Sequence, residues 1–554
     1  MPAQSSTTTF TRTVTVGAGV FAPGHLGELT PYLPFELVDD VLAQTGTVQQ
    51  RLRCLPSRVG VYFVLALGLF PKLGYAQVWA KLTAGLVGLA GAAVARPSEK
   101  ALRDLRRRLG PAPFKALFEV VAGPLAQPRT PGVCFAGLRT VAFDGCHSLK
   151  VPDTDRNRSW LGRILHKTGF AGYPTLRLMG LVETGTRGLI GAALGNAGHR
   201  GGGEVALARR LLTHLRPGML VLADRAFDTN TFLTEAAATG AHLLVRVKAT
   251  RVPRVLAHLS DGSYLTRIGR YHKGRERGRE LRVIDAHLDM SGADGSRVGD
   301  RYRLITTLTD HHRYPAEALI RLYHERWEIE TAYLALRHTL LAGHVLRSGD
   351  RPGLEQEAWA LLTLYQLLRM AMVDAIETRP GTDPDRACFT TALEAARAQL
   401  TSAHGICEPT GEPGEIQPGE IGRAVRSRLL PARRPRFSAR TVKCGTSRYA
   451  YRDPDEPRPD TTTTITDIDV TIHTPPLTPP PPTKAARPPT TRTQITALMN
   501  AQPHRGWTGH ELATALGRPP RNLLTQLAEW TRLGFLTRVA TATYALNTPP
   551  DQDP

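Results

Sequence analysis

Two short apolar runs rich in β-forming residues each end in an acid: "TVAFD", closing at Asp144, and "LVLAD", closing at Asp224. Runs of this kind read as buried strands. Near them, "LRLMGLVETGTRGLIGAAL" reads as a strand pair with a turn near Gly185, and "GGGEVALARRLLTHL" as a helix. "HLLVRVK" and "YRLITTL" read as further strands. Strands mixed with helices predict an α/β fold, a sheet with helices packed on it. An acid at a strand end is exposed at the sheet edge, where a site can form. Either aspartate alone reads equally well as a turn or helix-capping residue.

The chain has 554 residues, too many for one typical domain. Residues 1–24 read as a flexible N-terminus. Residues 25–130 read as a helical domain, with segments such as "PSRVGVYFVLALGLF" and "SEKALRDLRRRLG" separated by Pro and Gly breaks. Residues 131–378 hold the strands above, a β-rich insertion at 230–310 and a long helical tract from Pro315 to Thr378. A basic region, 379–472, leads to a proline-rich linker at 473–491, where "HTPPLTPPPPTKAARPPTT" favours extended backbone. Residues 492–547 read as three helices and a hairpin, the order of a winged-helix-like module.

Lys and Arg total 70 against 49 Asp and Glu, a net charge of +21. Such an excess favours a polyanionic partner, nucleic acid or an anionic membrane. The apolar runs Val59–Phe70 and Leu82–Ala95 are shorter than the roughly 18–20 residues of a membrane span; both read as buried helices, and no membrane partner is expected. Six scattered cysteines form no CxxC pair, which fits a reduced, cytoplasmic protein.

A third acid comes from "LYHERWEIETAYLALRH", Leu322 to His338. Projected at about 100° per residue, Tyr323, Arg326, Glu330 and Arg337 fall within roughly 60° of one another. Ile329, Leu336 and Leu340 form an adjacent apolar stripe, while Glu325 and Glu328 lie well away and read as surface charge. An Arg326–Glu330 salt bridge on a solvated helix explains the pattern too. Two strand-end aspartates upstream favour chemistry, because three carboxylates from separate elements supply the hard oxygen ligands Mg²⁺ prefers. Paired metals can activate a nucleophile and stabilise the leaving oxygen in phosphoryl transfer.

Tyr323-x2-Arg326-x3-Glu330-x6-Arg337 resembles the Tyr-x2-Arg-x3-Glu-x6-Lys signature of DDE transposases of the insertion-element-four family, with Arg337 standing for Lys. "FDGCHSLKVPDTDRNRSWLG" resembles that family's first-aspartate block and "ADRAFDTN" its second. The resemblance covers about 130–375, and the helices of 25–130 resemble the family's N-terminal domain. It does not account for the chain beyond 380. It implies an RNase H-like catalytic core with Asp144 on the first strand, Asp224 after the fourth and Glu330 on a helix. It implies two Mg²⁺ ions, with Mn²⁺ as a substitute, held by those acids. Water and then a DNA 3′-hydroxyl would attack phosphodiesters. The partners would be terminal inverted repeats and target DNA, with two ends paired in a homodimer, in a bacterial cytoplasm, associated with the nucleoid. Tyr323, Arg326 and Arg337 would contact phosphate near the cut, and Arg225, beside the second acid, would contact DNA.

Other features carry less. Lys273, Arg275 and Arg277 belong to a dense cation run, "RYHKGRERGRELR", that reads as a solvated loop or a phosphate contact. "LRDLRRRLG" has the same two readings. Trp327 reads as core packing or base stacking, "GHRGGGE" as a loop, and Cys146-His147 has no further Cys/His group at ligand spacing. The expected activity is cut-and-paste transposition. Its rivals are a metal-dependent nuclease without strand transfer and a non-catalytic DNA-binding derivative of a transposon, the latter disfavoured by the three acids.

Overall fold

The computed structural model describes residues 20–21, 25–51, 55–84, 93–162, 165–166, 169–170, 172–196, 203–248, 250–272, 275–293, 295, 297–402, 419–432, 436–437, 463–478 and 490–547. The chain divides into two compact units, Met1–Thr478 and Pro479–Pro554.

A large mixed sheet organises the first unit. Its centre is built from β1 (Leu138–Lys150), β2 (Thr175–Glu183), β3 (Leu189–Gly195), β4 (Met219–Ala223) and β5 (His242–Arg246), in the spatial order β3-β2-β1-β4-β5. β1 pairs parallel with β4 and β4 parallel with β5, whereas β2 and β3 are antiparallel. Alternation along β1 and β4 buries both faces. Val141, Phe143, Val221 and Ala223 enter one core, while Ala142, Leu220 and Leu222 enter another. That is why both strands are written as unbroken apolar runs.

Helices cover the face of Ala142 and Leu222. Ala316–His324, Glu328–Leu334 and Arg351–Glu377 all bury residues in that core. The last is apolar enough and long enough to cross a membrane, but 89% of its apolar window is buried inside the protein. It packs against the N-terminal helices Ser57–Leu69 and Ala112–Val121. The expected helix at Val59–Phe70 is present as Ser57–Leu69. That at Leu82–Ala95 is not seen as written: residues 85–92 lie outside the described residues, and Ala93–Val94 is a short strand paired with Val20–Phe21. In "LRDLRRRLG", Arg106 is neither solvated nor free for phosphate. It is buried and donates to Gln356 Oε1 (2.6 Å), Tyr75 Oη (2.7 Å) and Gly353 O (2.9 Å), binding the Glu99–Leu109 helix to the core helix.

The insertion consists largely of three long strands, β6 (Tyr264–His272), β7 (Arg275–Gly292) and β8 (Arg297–Thr306), and β8 joins β5 of the central sheet antiparallel. β6 covers the first half of β7, up to Val283. From Ala286 to Gly292 the same edge is covered by β9 (Thr463–Ile472), which comes from the region read only as basic.

The second unit, taken alone, runs Thr491–Ala501 helix, Trp507–Thr508 strand, Gly509–Ala515 helix, Pro520–Arg532 helix, then strands Leu536–Ala540 and Thr543–Leu546. The strand Thr543–Leu546 lies between the other two, antiparallel to both. Ile495, Met499, Leu512, Leu523, Leu527, Leu536 and Tyr544 form its own core.

Candidate active site

β1 and β4 are parallel neighbours with Val141 opposite Val221 and Ala142 opposite Leu222. Two residues on, the same register sets Asp144 beside Asp224, where the pairing of β1 with β4 stops. Asp224 follows the last residue of β4, but β1 runs on to Lys150 along β2, so Asp144 lies mid-strand and does not end its strand as the sequence suggested. Asp144 shares its parity with Ala142, and Asp224 with Leu222, so both acids look toward the helices that carry Glu330. The carboxyl edge of parallel strands is where α/β sheets commonly form sites. Each aspartate is held by local backbone: Asp144 accepts from Gly145 N (2.9 Å) and Asp224 from Ala226 N (2.8 Å).

Glu330 sits half-buried in the first turn of Glu328–Leu334. Buried Arg326 stands among the three acids, 3.9 Å from Asp144 Oδ2 and 3.6 Å from Glu330 Oε1. Burial pushes Asp144 up to about 7; Arg326 opposes this, and the charges of Glu330 and Asp224 add to it. Burial acts to lower Arg326, but Tyr323, Asp144, Asp224 and Glu330 outweigh it and hold the guanidinium charged. Among the described residues no three His, Cys, Asp or Glu side chains gather closely enough to hold a metal ion. The donor chemistry nonetheless fits a hard divalent cation: carboxylate oxygens whose mutual repulsion a cation would relieve.

The other predicted residues are placed as follows. Tyr323 is buried, and its hydroxyl donates to Ala223 O (3.1 Å), the residue before Asp224. In this conformation the phenol is engaged by the protein backbone. Arg225 is exposed on the short turn Arg225–Phe227 beside Asp224. Arg337 is half-buried in the π-helical stretch Ala335–Leu340. Lys273 lies outside the described residues; Arg275 and Arg277 lie on β7, and their side chains, like that of Trp327, are not described. Residues 198–202 of "GHRGGGE" are also outside them.

Glu328 corrects the sequence reading. It is not surface charge but is buried, and accepts from Arg187 Nε at 2.7 Å. Arg187 also pairs with buried Asp385. Glu325 is half-buried rather than fully exposed. The misreading has a physical source: Arg187 reaches the helix from the β2–β3 turn, a tertiary contact that no helical projection contains. The turn itself carries a mark, because Arg187 has φ +61°.

Tyr333 was also missed. It lies three residues after Glu330, is buried, and donates its hydroxyl to Asp144 O at 2.6 Å. It fits only because residue 180, opposite Asp144 on β2, is glycine; a Cβ there would stand 2.7 Å from the Tyr333 hydroxyl. Cys146 and His147 do not act together. Cys146 is buried in the helix-side core, while His147 Nε2 lies 2.5 Å from Glu204 Oε1.

Comparison with known proteins identifies the family. Residues 23–119 match a family model described as the insertion element 4 transposase N-terminal domain. Residues 137–367 match the transposase DDE domain, a span that holds Asp144, Asp224 and Glu330. "Transposase InsG for insertion sequence element IS4" of Escherichia coli (strain K12) is 27% identical over 429 residues, 76% of this chain and 92% of that protein. An insertion element 4 N-terminal domain followed by a DDE domain, with a relative aligned over most of the chain, makes the chain a DDE transposase of the insertion-element-four family, an enzyme of DNA cleavage and strand transfer.

Proposed function

We propose that the chain performs cut-and-paste transposition at terminal inverted repeats, using Asp144, Asp224 and Glu330 as the catalytic carboxylates of an RNase H-like core. One observation carries the assignment: two aspartates at equal register on adjacent parallel strands face the helix of a glutamate, with one buried arginine among them. The strand order β3-β2-β1-β4-β5, with the first three antiparallel, supports the fold reading.

The three acids would hold two Mg²⁺ ions, with Mn²⁺ as a substitute. Bound there, such ions activate the attacking hydroxyl and stabilise the leaving oxygen of a phosphodiester. The chain's own residues do the rest. Arg326 offsets the carboxylates' charge and stands ready to meet a phosphate oxygen beside them. Arg225, next to Asp224, and Arg337, seven residues beyond Glu330, would hold DNA, with Lys273, Arg275 and Arg277 of the insertion as further phosphate contacts. Tyr323 acts through the Ala223 carbonyl, fixing the strand end that presents Asp224. The two ends would be paired by a homodimer.

Purified protein incubated with a labelled terminal repeat and Mg²⁺ tests the reading. Joined products, lost in Glu330→Ala, support it. Cleavage without joining points to a nuclease, and binding insensitive to Glu330→Ala with no cleavage overturns the catalytic reading.

A further inference from the structure

The family models and the resemblance leave the second unit unassigned. We propose that residues 490–547 are a separate DNA-reading head, which takes duplex DNA in a sequence-dependent way on the exposed face of the Pro520–Arg532 helix. This rests on the winged-helix-like order of that unit, not on the three carboxylates.

The unit's own core decides which face is free. Leu523 and Leu527 point inward, at 2% and 0% exposure. On the opposite side Arg521, Thr525 and Arg532 are exposed, with Asn522 and Gln526 exposed on the flank. Arg521, Thr525 and Arg532 stand at i, i+4 and i+11, so they share one line along the helix.

These residue types match base edges. Arg pairs bidentately with guanine O6 and N7, Asn and Gln with adenine N6 and N7, and Thr with several bases. Glu529 shares the helix; a carboxylate repels phosphate but accepts from cytosine N4, which suits a base-reading face better than a backbone-tracking one.

Charge agrees. Residues 490–547 contain six arginines and two glutamates, with no lysine or aspartate. Two arginines are structural: Arg505 pairs with Glu511 at 2.9 Å and lies over Trp507, and Arg492 lies over Phe535. Arg518, Arg521, Arg532 and Arg538 are exposed. Arg538 is on the strand Leu536–Ala540, in the hairpin after the helix, a position from which a wing meets phosphate. A protein partner is the weaker occupant. The large apolar side chains exposed in this unit, Leu533 and Val539, fall far short of the roughly 800 Å² per partner of a stable interface.

The test uses the full chain carrying Glu330→Ala, so that binding is read without cleavage. Random-sequence duplexes are selected by the protein and sequenced, and affinities for the selected and random duplexes are measured across a salt series. A selected motif is expected. Arg521→Ala and Asn522→Ala should each reduce the preference for it about tenfold. Arg521→Lys, which keeps the charge but loses the bidentate fork, should lose preference while keeping the salt slope. Arg538→Ala should weaken both duplexes equally and lower the log–log salt slope by about 1. A motif and preference unchanged in Arg521→Ala and Asn522→Ala, or no motif at all, overturns the proposal. All three positions are exposed, and an unchanged thermal melt confirms that each of the four variants folds. If Glu330→Ala itself still cleaves DNA, the carboxylate assignment falls and this one stands.

Discussion

Two tyrosine hydroxyls tie the glutamate-bearing segment to the two aspartate strands: Tyr333 bonds the carbonyl of Asp144, and Tyr323 the carbonyl just before Asp224. Each fixes backbone rather than a reacting atom, so both are positioning residues. Tyr333→Phe should cost about 1 kcal/mol of stability. It should also slow cleavage at saturating DNA by roughly tenfold or more, since small misplacements of reacting groups are expensive. DNA affinity should not change, and a slowed reaction caused only by weaker binding would contradict the assignment. Asp144 gives a prediction of opposite sign. Its carboxyl titrates at about 7 in the folded chain, far above the roughly 3.9 of an unfolded aspartate. The folded state therefore holds that proton more tightly, and its contribution to stability fades as pH rises from about 4 to 7. In the absence of metal, Asp144→Asn should be inactive yet more stable than the parent at pH 8, by up to ~4 kcal/mol, with the difference vanishing near pH 4. Thermal melts at both pH values check this, and added Mg²⁺ should narrow the gap at pH 8. A difference independent of pH would rule out the carboxyl as its source.

At the scale of elements, the glutamate segment is not one regular helix. Ala316–His324 passes through a 3₁₀ turn at Glu325–Trp327 into Glu328–Leu334, and then into a π-helical stretch, Ala335–Leu340. π stretches are common at functional sites. Arg326 and Glu330, one turn apart, still meet, but a constant 100° per residue has drifted by Arg337. The two aspartates were legible because buried parallel strands write continuous apolar runs, and an acid that ends one stands out. Glu330 was legible because Arg326 is its near neighbour on the helix. Glu328 was not, since its partner Arg187 is 141 residues away in sequence. Nor was β9, whose pairing with β7 depends on a register that only the folded sheet supplies. The Arg187–Glu328–Asp385 group joins the β2–β3 turn, the glutamate-bearing segment and the Pro384–Arg386 turn, all three side chains buried. Removing one partner leaves a buried charge with less compensation, so Glu328→Gln should destabilise the first unit by about 3–5 kcal/mol. Arg187→Met with Glu328→Leu and Asp385→Leu should recover much of that loss. Urea unfolding of the two variants measures it, and equal stability of Glu328→Gln and the parent would show that the pair contributes little.

At the scale of the molecule, the two units have separate cores, so they should unfold separately. Calorimetry is expected to show two transitions. Leu527→Ala should lower only the one belonging to the second unit, by about 2–5 kcal/mol; a shift in both would mean that the units melt as one. The first unit carries a different consequence, for synthesis rather than stability. β9 covers an edge of β7 laid down 173 to 186 residues earlier, from Gly292 opposite Ile465 to Ala286 opposite Ile472. At about 5–20 residues per second, that stretch of the insertion waits on the order of ten to forty seconds on the ribosome before its partner is made. During that interval a nascent chain offers an unpaired strand edge to its neighbours on the same message. Birth of this enzyme is thus a timed event, in which translation speed across residues 293–472 decides how long the unfinished sheet stays open to the wrong partner.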